Sequence, residues 1–316
     1  MLFLFIAIAG CSFWERHQAC EAARVSARST WQAARHVFDE QADGSKRVAQ
    51  TTAASAAAID ASLAQLLSAS GANADGSVGE AAQDAFTNAL KHGGNSAAEA
   101  AWTDYASRTH AAAEDAEHAS VVVDTAVHRL DVWLTAETAW RVAGGYRAGA
   151  IDAGALGKNE FKATIPPFTL SLLAPTASNA LGPPPAPPKE GEAPDPDVMT
   201  LREEAEAAAD AHDHAEMAAE DIAKLAVRAE RGGKVADAAF RAFAYSGFPP
   251  TANVALSASN EAKTASQHAT SASEAADAAV AGVPARRAAV PPFDPAATAA
   301  LDAARNATTA VDVACR

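Results

Sequence analysis

The sequence lacks the signatures of the common catalytic machineries. It has no Gly-x-Ser-x-Gly elbow, no phosphate-binding loop, no His-Glu-x-x-His, no Cys-x-x-Cys and no dinucleotide fingerprint. Aromatic residues make up only 6% of 316, and β-branched residues are sparse outside short runs, so extensive sheet is not expected. Basic residues are in deficit: 25 Lys and Arg stand against 39 Asp and Glu, a net charge of -14. That balance argues against nucleic acid, which is held by clustered Lys and Arg, and equally against direct electrostatic attraction to an anionic bilayer. Long apolar runs are missing as well. The run at the amino end, residues 2–9, is about half the roughly 20 residues a membrane-spanning helix needs.

What is abundant is alanine, more than a quarter of the chain. Alanine has the best intrinsic helix propensity, so the composition predicts an all-α protein. It also limits packing, because a buried methyl contributes about 0.8 kcal/mol against roughly 1.5 to 3 for Leu or Phe. Such a chain compensates through close helix approach, long helices, cross-links or self-association.

The expected architecture is an Ala-rich antiparallel bundle of about six or seven helices. Cys20, Ala23, Ala27, Trp31, Ala34 and Phe38 recur three and four apart, placing a first amphipathic helix over residues 13–40, with Arg16, Arg24, Arg28 and Arg35 mostly off its apolar face. Residues 41–45 read as a break, 46–70 as a second helix with Ile59, Leu63, Leu66 and Leu67 as its stripe, and 71–79 as a loop. A short helix over 80–92 ends at Gly93-Gly94. A long one over 97–142 carries Val123, Val127, Leu130, Trp133, Leu134 and Trp140 on one side, and Gly144-Gly145 ends or kinks it. Residues 161–175 read as an extended strap or a short edge strand. The proline-rich, acidic stretch 176–198 reads as a polyproline-like linker. Beyond it lie an acidic helix over 199–231, an interruption at Gly232-Gly233, a continuation to Tyr245, a turn at 247–250 and an Ala/Ser/Thr-lined helix over 251–281. The last helix opens at Asp294-Pro295, a cap followed by proline in the first turn. It aligns Ala297, Leu301, Ala304, Thr308, Val311 and Cys315. The division expected is a helical region over 11–175, the linker 176–198, and a second helical region over 199–316 packing on the first.

Two acidic helices hold most of the histidines. Glu114 with His118, Asp124 with His128, and Asp210 with His214 stand four apart, where side chains meet on a helix surface. Facing pairs of this kind build metal sites in helical bundles. The paired Glu-x-x-His arrangement of di-iron bundles is not present, however, and the pairs fall on the predicted wet face, which favours solvated surfaces with local ion pairing. No cofactor is implied. Trp31, Trp133 and Trp140 read as core residues.

At the amino end Ile8-Ala9-Gly10-Cys11 resembles the bacterial lipoprotein box, in which an aliphatic and two small residues precede the cysteine that receives lipid. The match covers about a dozen residues, and no Lys or Arg precedes the apolar run as in a usual signal peptide. The resemblance implies a signal over 1–10, lipidation at Cys11 and a membrane held through that lipid. Ser12, where an Asp would retain the protein at the inner membrane, implies the outer membrane or cell surface. With Cys11 so assigned, Cys20 and Cys315 remain as an even pair in an oxidising compartment and are expected to form a disulfide. The functional expectation is a non-enzymatic, lipid-anchored envelope protein with a structural, scaffolding or partner-binding role, joined to a protein partner or to copies of itself. The alternative is a periplasmic or extracellular ligand or metal sensor using the His/carboxylate faces.

Overall fold

In a computed structural model the described residues are 2–69, 95–158, 186–189, 191, 193–245, 253–289 and 292–316, with the side chains of 2–13 and of a few residues at helix ends left aside. Among them are five α-helices and no strand: α1 (Leu2–Ala69), α2 (Asn95–Lys158), α3 (Pro196–Tyr245), α4 (Asn253–Ala288) and α5 (Pro295–Cys315). The short helix expected at 80–92, the strap at 161–175, the turn at 247–250 and the first ten residues of the linker lie outside the described residues. Within the expected linker, residues 186–189 and 193–195 have no regular structure, while 196–198 form the start of α3.

The helices are fewer and longer than the glycine pattern suggests, because every expected glycine break among the described residues is helical. At Gly44 the flanking Ala42 and Ala49 are fully buried, and their packing outweighs the roughly 1 kcal/mol that a glycine costs inside a helix. Gly232 and Gly233 are contact residues: a Cβ on the first would lie 3.4 Å from Ala116 Cα, and on the second 3.3 Å from the Ser266 carbonyl oxygen. Helix α4 runs on through Pro284. Helix α5 starts where expected, with the Asp294 side chain accepting a hydrogen bond from the Ala296 N–H at 2.7 Å.

The chain divides into two compact units, one of residues 1–51, 135–211 and 287–316, the other of 52–134 and 212–286. In the first, α1 runs antiparallel to α5, as the pairing of Cys20 with Cys315 and of the Trp31 indole with Ala304 and Thr308 requires. Among the described residues its core includes two clusters. One joins Phe38, Ala42, Tyr146, Ala150, Ala297 and Leu301, with Phe293 against the Tyr146 ring. The other joins Ala27, Trp31, Ala34, Ala153, Ala304 and Val311. The expected face of the first helix is therefore the buried one.

The second unit buries Leu130, Trp133 and Ile222, together with a cluster made of alanine alone. Ala113 and Ala116 of α2, Ala236 of α3, and Ala262, Ala265 and Ala269 of α4 form one cluster. Arg129 links Asp60 of α1 and Asp221 of α3. In α3 the buried positions 215, 218, 222, 225, 229, 232, 236 and 239 alternate three and four apart, a heptad seam of the coiled-coil kind. Five of these eight positions are alanine and one is glycine, side chains small enough to let neighbouring backbones approach closely. Among the described residues no helix is long and apolar enough to cross a membrane.

Candidate functional site

Two places collect chemically distinctive side chains, one in each unit. The first is the cross-linked end of the first unit. Cys20 and Cys315 form a disulfide with a Cα–Cα distance of 4.7 Å across 295 residues of sequence. The antiparallel register that joins them leaves residues 14–19 past the last residue of α5, and all six are exposed. Trp14 is the most prominent of these, 61% exposed, with the His17 ring 6.2 Å away between centroids. Cys11 stands three residues earlier in α1; its side chain is outside the description.

The second is a groove of about 510 Å³ between α2 and α4 in the second unit, lined by His110, Glu114, Glu117, Glu261 and His268 among smaller residues. His110 Nδ1 lies 2.8 Å from Glu261 Oε2, and His268 Nδ1 lies 2.9 Å from Glu117 Oε2. The two pairs exchange partners: α2 supplies the histidine in one and the carboxylate in the other, seven residues apart on both helices. This equal step shows that α2 and α4 run parallel. Glu114 adds a second carboxylate, 3.3 Å from His110 Nε2. The hydrogen bond to Glu261, aided by Glu114, raises the His110 pKa above its ordinary value.

The residues singled out in the sequence do not gather in one place: Asp210 belongs to the first unit and the others to the second. Glu114 lines the groove, but His118 is exposed outside it. Asp124 and His128 line a separate hollow with Ala58, Ile59, Ser62 and Thr125. Asp210 is exposed, and the His214 ring stacks on Trp133 at 4.4 Å between centroids. Among the described residues no three His, Cys, Asp or Glu side chains are placed to hold a metal ion. Sequence reading found pairs within one helix and missed the pairs across two, His110 with Glu261 and Glu117 with His268. The signal for them was the heptad spacing of a His and a Glu in opposite order on two helices, which is informative only once parallel register is known.

The first unit also buries charge that the sequence did not flag. Glu137 is 1% exposed between Arg141 (2.6 Å) and Arg287 (3.2 Å). Glu204 is fully buried, its nearest cation Arg147 at 3.7 Å. Burial pushes its carboxyl above the usual carboxylate range against the pull of Arg147 and Lys46. Arg147 also meets Asp39 at 2.6 Å and Asp43 at 3.1 Å, and Arg35 grips Asp197 with one amino group at 2.7 and 2.9 Å. These groups tie α1, α2, α3 and the end of α4 together inside the unit. No family model, curated protein or solved structure matches the chain significantly.

Proposed function

We propose that this chain is a non-enzymatic, lipid-anchored protein of the cell envelope with a structural, scaffolding or partner-binding role. One observation carries the reading: two of the three cysteines are joined to each other, which leaves the third, Cys11, at the position of the lipoprotein-like box. Disulfides persist in oxidising compartments, outside the reducing cytoplasm, so the pairing supports an extracytoplasmic location. Ser12 favours the outer membrane or the cell surface. The binding role is supported by the alanine-lined contacts between helices, since small side chains let a further helix approach closely.

The test is mass spectrometry of the mature amino terminus on protein recovered from membranes. A lipid-modified Cys11 with residues 1–10 removed is the expected result. An unmodified Cys11, or retention of Met1, removes the assignment. Co-purification from membranes in mild detergent then identifies the partner, or a second copy of the chain.

A further inference from the structure

Resting on that reading, we propose that Trp14 is a membrane-interface anchor, seated among the phospholipid headgroups to which the lipid on Cys11 holds the start of the mature helix. An α-helix rises 1.5 Å per residue, so Trp14 sits about 4.5 Å along the axis from Cys11. The headgroup layer of one leaflet is roughly 5–7 Å thick. A helix standing out from a lipidated Cys11 therefore carries Trp14 within that layer. Tryptophan is enriched there because its ring is apolar while its N–H seeks a polar partner.

The surrounding sequence changes character at the same point. Ser12 and Phe13, on the lipid side of Trp14, carry no charge, and the first charges of the chain, Glu15 and Arg16, come immediately beyond it. The register adds an independent reason. The antiparallel register ends α5 at Cys315, opposite Cys20, and residues 14–19 beyond that bond are all exposed, the Trp14 indole 61% so. Trp31, one helical segment further on, is by contrast 1% exposed and hydrogen-bonded to α5. Cys20 falls about 13 Å from Cys11 along the helix, beyond the headgroups. The cross-link then closes the bundle just outside the membrane, and the short exposed stretch between acts as a stalk whose orientation Trp14 sets. The net charge of -14 does not oppose this contact, since insertion of an uncharged ring into zwitterionic headgroups needs no basic patch.

The experiment uses the mature protein purified from membranes and reconstituted in phosphatidylcholine vesicles whose acyl chains are brominated near the headgroup. Bromine is expected to quench the emission of one of the five tryptophans, and Trp14→Phe is expected to abolish that quenching while leaving the disulfide and the helical signal intact. A second measurement covers the case of a poorly folding variant. In unsubstituted protein labelled with 5-fluorotryptophan, a headgroup-chelated gadolinium lipid is expected to broaden one fluorine resonance. Quenching that survives Trp14→Phe unchanged, or no broadened resonance, with lipid demonstrated on Cys11, overturns the anchor and leaves the lipoprotein reading standing. Absence of lipid on Cys11 overturns both.

Discussion

Glu204 shows how a single residue in this fold can oppose the packing around it. Its carboxyl is fully buried on α3, and burial raises its pKa above the ordinary 4.5. An acid whose folded pKa is raised releases its proton more readily when unfolded, so its contribution favours the native state at low pH and is lost as pH climbs through the folded value. Glu204→Gln is therefore expected to raise stability at pH 7 by about 1 kcal/mol, read as a higher thermal midpoint, with the gain vanishing below the ordinary carboxylate range. Arg147 keeps Asp39 and Asp43 as partners in that variant. A variant less stable than the parent at pH 7 would mean that the attraction of Arg147 outweighs desolvation. Glycines give a contrasting pair of expectations. A Cβ at Gly44 meets nothing within 4 Å, so Gly44→Ala gains helix propensity, about 0.5–1 kcal/mol. A Cβ at Gly154 runs into the Arg35 guanidinium, so Gly154→Ala displaces the side chain that holds Asp197 and is expected to lower the denaturation midpoint.

At the scale of elements, the alanine seam decides how tightly helices meet. Gly233 of α3 accepts a hydrogen bond from Ser266 Oγ of α4 at 2.8 Å, and Ala226 accepts one from Ser273 Oγ at 3.2 Å, so serine hydroxyls cross directly to the neighbouring backbone. Such approach leaves no room for larger side chains. Ala269→Leu, in the six-alanine cluster, is expected to cost about 1–3 kcal/mol by overpacking, measured in urea unfolding. Equal or greater stability would show that α3 and α4 can move apart freely. Helix identity was legible from composition and period, and the faces of α1 and α5 came out as the spacing of their apolar residues implied. Helix ends were not legible at Gly44, Gly145 and Gly232–Gly233. Glycine's local cost is about 1 kcal/mol, and whether neighbouring turns are buried enough to exceed it depends on partners remote in sequence.

For the whole molecule, the disulfide between the two extremities is the largest single constraint. It closes a loop spanning 295 positions, and the chain-entropy view assigns long loops the greater stabilisation. Cys20→Ser with Cys315→Ser is expected to lower stability by about 2–5 kcal/mol, with the loss concentrated in the unit that holds both ends. Hydrogen exchange would locate it, and uniform loss across both units would contradict that expectation. The sequence by itself determined the helical class, the alanine-limited packing and the cap of α5, because propensity, side-chain volume and capping are local properties. It also pointed to Cys20 and Cys315 as partners, by cysteine count and the shared apolar character of their faces. Only the tertiary structure decided which glycines are contacts rather than breaks, which carboxylates are buried, and which histidine meets which glutamate. Those outcomes depend on the register between helices, and a heptad repeat of nearly identical alanines looks the same to a local reading in every register.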